Sequence, residues 1–108
     1  MNTSYVVIFI TAKDVDEAKK IARRLLEEKL IACANILSGV RSLFWWQGKV
    51  DDAEEALLIM KTRQRLFPKI RKTVQSLHSY DVPEIIALPL VDGNKEYLHW
   101  IDESVREP

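Results

Sequence analysis

Two side chains in this sequence could bind a transition-metal ion, His78 and Cys33. A neutral imidazole is a good ligand for copper or zinc, and a thiolate binds Cu(I) tightly. His78 ends a helical pattern, where a histidine more often interacts with the last carbonyls and the dipole of the helix. Cys33 lies in an apolar strand pattern, where a single buried cysteine usually packs as a small hydrophobic residue. For each residue the sequence leaves metal binding and a structural role open.

Four other side chains could form a site for a small molecule: Trp46, Lys61, Tyr80 and Glu84. Lys61 follows the apolar run 56–60, where a charge is costly unless it is paired. Tyr80 and Glu84 flank a loop that we expect beside the same end of the predicted sheet. A ligand held by this group and an interfacial salt bridge between Lys61 and a carboxylate are equally compatible with the pattern.

Catalytic chemistry is not indicated by the sequence. The three glycines are scattered at positions 39, 48 and 93, so there is no glycine-rich phosphate loop. The serines have no nucleophile-elbow context, and the two histidines have no evident acid or base partner. We therefore predict a protein that is not an enzyme.

The composition predicts one small soluble domain over residues 1–108. Hydrophobic residues make up 47% of the sequence and charged residues 30%. Lys+Arg and Asp+Glu are both 16, and this zero net charge argues against nucleic acid or a membrane surface as a partner. No apolar run is long enough to span a bilayer, and residues 1–4 lack the pattern of a signal peptide. Because a single cysteine cannot form an internal disulfide, we expect a cytoplasmic protein.

The elements that must position these residues follow from hydrophobic periodicity. Residues 5–10 form a β-branched and aromatic run, typical of a central strand that is buried on both faces. Asp14 and Glu17 resemble a capping box at the start of an amphipathic helix. A second helix is predicted over residues 67–77, and Asn94 can cap a short final helix.

Between the first two helices, the sequence predicts an unusually long β-hairpin. Its arms cover residues 31–46 and 49–62, with a bulge at Gly39 in the first arm. Each arm exceeds a dozen residues, whereas a typical strand has about five or six. A two-residue turn at positions 47 and 48 would place two favourable pairs across the ladder. These pairs are Arg41 with Glu54 and Trp45 with Val50.

The order of elements is β-α-β-β-α-β with an added C-terminal helix, which is the ferredoxin-like fold of the α+β class. Right-handed crossovers predict an antiparallel sheet with the strand order 4-1-3-2. This order places the fourth strand, residues 84–91, at an edge, as Pro89 requires because proline cannot donate a ladder hydrogen bond. Two other functions of this fold are excluded. Copper chaperones need a Cys-x-x-Cys pair, and RNA-recognition modules need aromatic residues where this chain has the aliphatic run 56–60.

The far end of the hairpin predicts a homo-oligomer. Two helices can cover only one face of a four-stranded sheet and cannot reach a hairpin that extends beyond it. The apolar side chains at that end are Leu43, Phe44, Trp45, Trp46 and Val50. Exposed together they would form a patch typical of an interface, and burying each large one contributes about 1.5–3 kcal/mol. The alternative is that these side chains fold back onto their own domain.

Five segments in one order give the chain a close resemblance to the CutA family, described as divalent-cation-tolerance proteins. Together they span most of the chain, and five matches in order are far more specific than one. The segments are Leu30–Asn35, Trp46–Lys49, Ile59–Arg63, Leu77–Ile85 and Gly93–Trp100.

The resemblance implies a cytoplasmic homotrimer in which long hairpins wrap neighbouring subunits, with an architecture similar to the trimeric PII signalling proteins. Members of the family have been linked to Cu(II) and other divalent metal ions. The resemblance also implies that Trp46, Lys61, Tyr80 and Glu84 line clefts between subunits, which could hold a small anionic ligand. No cofactor is expected to be required for folding.

The chain departs from the family at positions linked to metal binding. His78 matches a histidine of the family's loop, but Ser79 follows where the family usually has proline. Leu77 and Ile10 stand where some members have a second histidine and a cysteine. One of three possible ligands is therefore retained.

Two hypotheses of function follow. The first is a homotrimeric protein that binds divalent metal ions, copper among them, in cation tolerance, with His78 and Cys33 as candidate ligands. The alternative is a PII-like signalling or scaffold trimer that binds a small molecule or an unidentified partner protein in its intersubunit clefts.

Overall fold

The computed structural model describes residues 4–107, so residues 1–3, on which part of the signal-peptide prediction rests, lie outside it. These described residues form four strands, three α-helices and one short 3-10 helix at residues 64–66. In chain order the strands and α-helices are β1 (Tyr5–Ala12), α1 (Val15–Glu27), β2 (Cys33–Trp46), β3 (Lys49–Arg63), α2 (Phe67–Leu77), β4 (Ile85–Pro89) and α3 (Lys95–Ser104). None of the helices within residues 4–107 is long and apolar enough to cross a membrane.

The four strands form one antiparallel sheet in the order β2-β3-β1-β4, which confirms the predicted order and fold class. Ile8 in the central strand lies opposite Met60 of β3 and Ala87 of β4. Pro89 lies opposite Val6 in the edge strand β4. Among residues 4–107, no strand pairs with the outer side of β4. The missing N–H of Pro89 therefore costs no hydrogen bond on that side.

One face of the sheet carries the core. Alternate residues of β1 are fully buried, and they belong to the same hydrophobic cluster as the inner faces of α1 and α2. Burying each large apolar side chain contributes about 1.5–3 kcal/mol, which makes this layer the main source of stability. The largest buried side chains include Ile8, Ile10, Ile21, Leu25, Leu58, Met60, Ile70 and Val74.

Helices α1 and α3 begin directly after the predicted N-cap residues, Asp14 and Asn94. The Asp14 carboxylate accepts a hydrogen bond from the N–H of Glu17 at 2.8 Å, and the Asn94 side chain accepts one from the N–H of Glu96 at 3.0 Å. The Glu17 side chain bonds the N–H of Lys13 and not that of Asp14, so the capping box is displaced by one residue.

The other face of the sheet, termed here the open face, is only partly covered. It presents apolar side chains that are half-buried or exposed: Val7, Phe9, Ile59, Ile86 and Leu88. The sequence predicted that β1 is buried on both faces, but in the single subunit it is fully buried on one. The reason is geometric, because α1 and α2 both pack on the same side.

Helix α3 anchors one end of the sheet. The hydroxyl of Tyr5 donates to Asp102 at 2.5 Å, and Arg63 forms an ion pair with the same carboxylate. The Arg63 guanidinium also lies over the Tyr5 ring, 4.5 Å from its centroid. Ile101 of the same helix is fully buried in the core. The C-terminal helix is thus joined to both the core and the end of the sheet.

The β2–β3 hairpin has the predicted register. A bulge lies between Leu37 and Val40, and Gly39 there adopts φ +67°. Gln47 and Gly48 form the turn with φ 51° and 78°, values typical of a type I′ turn. Both predicted cross-strand pairs at positions 41 with 54 and 45 with 50 are present. The Arg41 guanidinium, however, bonds Asp52 at 3.0 Å and not Glu54.

The far end of the hairpin does not fold back onto its own domain. Trp45 remains 75% exposed and Trp46 54% exposed, and Leu43 and Val50 are also largely exposed. The hairpin lengthens the molecule, whose principal extents are 43 × 26 × 22 Å. The single chain therefore leaves these large apolar side chains in water, as the sequence predicted.

Candidate functional site

A cleft of about 870 Å³ lies between the far half of the hairpin and the loop that joins α2 to β4. Its walls are Thr11, residues 41–46 with Asp51 and Glu55 on the hairpin, and Tyr80, Asp81, Val82 and Glu84 on the loop. We call it the hairpin cleft. It brings together three of the four predicted ligand-binding residues, namely Trp46, Tyr80 and Glu84.

Aromatic rings and carboxylates dominate the walls of the hairpin cleft. The four aromatic residues are Phe44, Trp45, Trp46 and Tyr80, and the four acidic residues are Asp51, Glu55, Asp81 and Glu84. Arg41 is the single basic residue in the lining, and its guanidinium is already paired with Asp52. The cleft therefore carries a negative charge against an apolar, aromatic surface.

Tyr80 connects the loop to the hairpin. Its hydroxyl donates to the Glu55 carboxylate at 2.7 Å, and its ring lies against His78 with centroids 4.8 Å apart. Burial, followed by the hydrogen bond to Glu55, raises the pKa of Tyr80 to about 12. Tyr80 therefore stays protonated at neutral pH and holds one wall of the cleft to the other.

His78 is enclosed by its own subunit. Its side chain is 0% exposed, Nε2 lies 2.8 Å from the Thr11 carbonyl oxygen, and Nδ1 accepts from the N–H of Tyr80 at 3.0 Å. Since a carbonyl can only accept, Nε2 carries the proton and Nδ1 supplies its lone pair to Tyr80. Both ring nitrogens are thus engaged. A metal ion at His78 would have to displace one of these two bonds.

The Glu17 side chain of α1 binds the start of the loop that joins α2 to β4. Its carboxylate accepts hydrogen bonds from the N–H of Lys13 at 3.0 Å and of Ser79 at 2.7 Å, and it lies 4.0 Å from Nδ1 of His78. Burial alone would raise the pKa of Glu17, but these donors outweigh it, and the net pKa lies below its ordinary value. The ionised Glu17 carboxylate therefore fixes the start of the loop that carries Tyr80.

Cys33 is not buried, which corrects the prediction from its apolar segment. It is half-buried at the start of β2, on the open face, and its Sγ lies 3.5 Å from the hydroxyl of Tyr97. The contact with Cys33, followed by burial, raises the pKa of Tyr97 to about 12. The open face explains the difference, because α1 and α2 both pack on the other side of the sheet.

Lys61 lies outside the hairpin cleft of its own subunit. It faces Cys33 across the β2–β3 ladder, and its Nζ donates to the side-chain oxygen of Asn35 at 2.5 Å. Within residues 4–107 Lys61 forms no salt bridge with a carboxylate. The four residues grouped from the sequence are thus divided between two regions of the subunit.

Two functional candidates emerge only from the structure. Glu55 was not singled out in the sequence, and Glu17 was read only as part of a helix cap. Glu55 directly precedes an apolar run and faces Val40 beside the bulge, and a charge at such a position is a signal that could have identified it.

No preformed metal centre is present within residues 4–107, where no three His, Cys, Asp or Glu side chains are grouped closely enough to hold an ion.

Comparison with known proteins points to one family. The family model described as CutA1 divalent ion tolerance protein matches residues 6–104. The chain is 50% identical over 98 residues to a divalent-cation tolerance protein CutA of Archaeoglobus fulgidus, covering 91% of this chain and 95% of that one. It is 47% identical over 98 residues to the protein of the same description from Thermus thermophilus, with the same coverage. It is also 44% identical over 102 residues to the chloroplastic protein CutA 1 of rice, but spans only 58% of its length.

Solved structures agree with this result. The crystal structure of CutA1 from Oryza sativa superposes with a TM-score of 0.95 at 42% identity, covering 98% of this chain and 97% of that one. The structure of the protein from Archaeoglobus fulgidus, described as a periplasmic divalent cation tolerance protein, gives a TM-score of 0.92 at 48% identity over 94% and 99% of the two chains.

Proposed function

The chain belongs to the CutA1 divalent ion tolerance family, and from this membership we propose that it is a homotrimer that binds divalent metal ions, copper among them, in cation tolerance. The observation that carries the proposal is the family match over residues 6–104. The family is named for tolerance of ions and not for a catalysed reaction, so no enzymatic activity is indicated.

The surfaces of the single subunit support association. The open face and the hairpin end are two apolar surfaces that remain partly or largely exposed in the single chain. Monomeric proteins rarely expose contiguous apolar patches of this kind, because covering them with another subunit is favourable. We propose that a three-fold arrangement covers both surfaces, with each hairpin packed against a neighbouring subunit.

The metal site of this proposal belongs to the trimer and not to one chain. His78 and Cys33 remain the candidate ligands, and the structure sets a condition for each. Binding at His78 requires release of the hydrogen bond to Thr11 or to Tyr80. Cys33 offers a half-exposed sulfur on the open face, where the trimer would bring further subunits close.

Calorimetric titration of the chelator-treated protein with Cu(II) tests the metal proposal. We expect saturable heat near one ion per subunit, and reduced affinity in His78→Ala or Cys33→Ser. His99→Ala is the matched control, because His99 is the only other histidine and lies on the surface of α3. Absence of saturable heat would contradict metal binding. Unchanged binding in both ligand variants would place the ligands elsewhere.

A second candidate function is that of a PII-like signalling or scaffold trimer. It is favoured by the hairpin cleft, which brings Trp46, Tyr80 and Glu84 together around a volume suited to a small molecule. In this proposal the cleft binds a small molecule or a segment of a partner protein, and Lys61 of a neighbouring subunit reaches its rim.

A cytoplasmic location is part of the proposal and is supported by the single cysteine of the sequence. The periplasmic description of the Archaeoglobus fulgidus relative is the observation against it. Fractionation of the host cell, with the protein followed by antibody, distinguishes the two compartments.

A further inference from the structure

From the charges on the two long helices we propose that the outer side of α1 and α2 binds an extended acidic segment of a partner protein, rich in aspartate and glutamate. This surface is separate from the candidate metal ligands and from the hairpin cleft. The binding proposed for it therefore does not depend on either candidate function.

The outer side of these helices carries an excess of positive charge. In α1, the 3-10 helix and α2, the exposed acidic residues are Asp16 and Glu27. The exposed basic residues of α1 are Lys19, Lys20, Arg23 and Arg24. Those of the 3-10 helix and α2 are Arg65, Lys69, Arg71 and Lys72. We call these eight side chains the basic face. Because the chain as a whole has zero net charge, the rest of the molecule is correspondingly acidic.

The cations of both helices belong to one surface, because α1 and α2 lie side by side and run in opposite directions. Near the start of α1, the Glu17 carboxylate accepts a hydrogen bond from the N–H of Ser79, just beyond the end of α2. Just beyond the end of α1, the hydrogen bond from Arg24 lowers the pKa of Glu28, and the positive charge of Lys69 lowers it further. Lys69 lies in the first turn of α2, so the end of α1 is close to the start of α2.

Most cations of the basic face have no counter-charge in their own chain. Among residues 4–107, Arg24 is the one member that forms an ion pair, and its partner is Glu28. The first turn of α2 contains Lys69 and no acidic residue, although the start of a helix carries a partial positive charge that disfavours cations. Lys19 and Arg23 are four positions apart on α1, a spacing at which like charges repel. An acidic segment that lies across the face offsets both repulsions.

The proposed assembly leaves the basic face accessible. The helices pack on the side of the sheet opposite the open face, and no residue of the basic face lines the hairpin cleft. The surfaces proposed to associate are the open face and the hairpin end. The basic face is therefore expected to be exposed in the trimer as well as in the single chain.

The size of the basic face favours a short segment over a longer polyanion. Helix α1 has 13 residues and is about 20 Å long, a length that about six residues of extended chain match. Charges interact over about 8 Å at physiological salt, so a segment confined to the face meets mainly its cations. Duplex nucleic acid or an anionic membrane is larger than the face and would also lie against the acidic remainder of the molecule.

Fluorescence anisotropy of a rhodamine-labelled hexaglutamate peptide tests the proposal. The full-length protein is titrated into this peptide and, as a neutral probe of the same length, into labelled hexaglutamine. We expect saturable binding of hexaglutamate at low salt that weakens as sodium chloride is added, and no binding of hexaglutamine. A short DNA duplex and phosphatidylserine vesicles are titrated in parallel.

A double variant locates the binding surface. Lys69→Gln with Lys72→Gln removes two cations of the basic face that form no ion pair among residues 4–107, and we expect it to weaken hexaglutamate binding about tenfold. Lys13→Gln with Lys95→Gln is the matched control. Both of its lysines are exposed and lie at the start of other helices, outside the basic face. Thermal melts followed by circular dichroism establish that both double variants are folded.

Binding of hexaglutamate that is weakened by the basic-face variant and unchanged by the control supports the proposal. Absence of binding, or equal weakening by both double variants, overturns it. Tighter binding of the DNA duplex or of the vesicles than of hexaglutamate also overturns it, because the occupant of the basic face would then be nucleic acid or a membrane surface and not a protein segment.

Discussion

At the scale of single residues, buried hydrogen bonds decide what the polar side chains beside the cleft can do. His78 gives one nitrogen to Thr11 and the other to the N–H of Tyr80, and Tyr80 gives its hydroxyl to Glu55. The Glu17 carboxylate accepts a hydrogen bond from the N–H of Ser79, the residue between His78 and Tyr80. His78 therefore joins the end of α2 to β1 and to the loop, whereas the structural role considered from the sequence was an interaction with the last carbonyls and the dipole of the helix.

The three tyrosines provide a direct test of these contacts. All of them have a raised pKa, to about 12 for Tyr80 and Tyr97, and Tyr5 is raised by its hydrogen bond to Asp102. We expect the ultraviolet absorbance of tyrosinate to show no step near the ordinary pKa of 10.0 in the folded protein. The chain unfolded in guanidinium is the control, and there all three tyrosines should titrate near 10.

The raised pKa of Tyr80 also makes the free energy of unfolding depend on pH in the alkaline range. Because the folded pKa of Tyr80 lies above the unfolded one, its contribution to the free energy of unfolding is complete below pH 10 and is lost as the pH rises towards about 12. Tyr80→Phe should remove part of this alkaline loss and one third of the tyrosinate signal. A step near pH 10 that disappears in Tyr80→Phe would contradict the contact with Glu55.

At the scale of elements, the hairpin is the distinctive part of the fold. Its arms of 14 and 15 residues stay in register because a bulge at Gly39 absorbs the bend and a two-residue turn closes the far end. Both turn residues have positive φ, and the twist of a type I′ turn matches the twist of the strands. The hairpin therefore extends its aromatic end as a continuous two-stranded arm beyond the rest of the sheet.

Substitutions at the turn should change stability in opposite directions. Gly48→Ala meets open space but places a Cβ at φ +78°, so we expect a loss of about 1–2 kcal/mol in the free energy of unfolding. Gln47→Asn should stabilise by a smaller amount, since asparagine tolerates positive φ better. Denaturant unfolding at one fixed protein concentration measures both. Changes of the same sign would show that the turn is not of this type.

At the scale of the whole molecule, the single chain leaves two apolar surfaces exposed. Its helices bury one face of the sheet, while the open face and the hairpin end keep large apolar side chains in contact with water. Both the stability of the protein and its binding sites are therefore expected to depend on how subunits associate.

Sedimentation equilibrium tests the assembly. We expect a mass three times that of the 12.5 kDa chain at micromolar concentration. Trp45→Ser combined with Trp46→Ser should shift the protein towards the monomer, because each buried tryptophan contributes several kcal/mol of the association energy. Leu26→Ser is the control, since Leu26 is exposed on α1, away from the hairpin. A monomeric wild-type protein, or a double variant that remains a trimer, would contradict the proposed interface.

Most residues of the candidate site could be predicted from their types and positions in the sequence. Which of them lie in contact could be predicted only in part. Trp46, Tyr80 and Glu84 were expected to lie together and do so, because strand register and loop length restrict where they can be. Lys61 was expected to join them, but it lies about 20 Å from Glu55 along β3, opposite Cys33 near the other end of the hairpin. Glu55 was missed because its importance comes from burial against Tyr80, a contact between residues 25 positions apart.

The sequence by itself determined the elements, the strand order, the bulge, the turn and the helix caps, because each depends on local periodicity or on the backbone preferences of single residues. It also indicated an aromatic hairpin end that one small domain does not bury. Only the tertiary structure decided that His78 has both nitrogens occupied, that Cys33 is half-exposed and that the cleft is acidic. These properties depend on distances between segments far apart in the chain, which packing sets and local sequence does not.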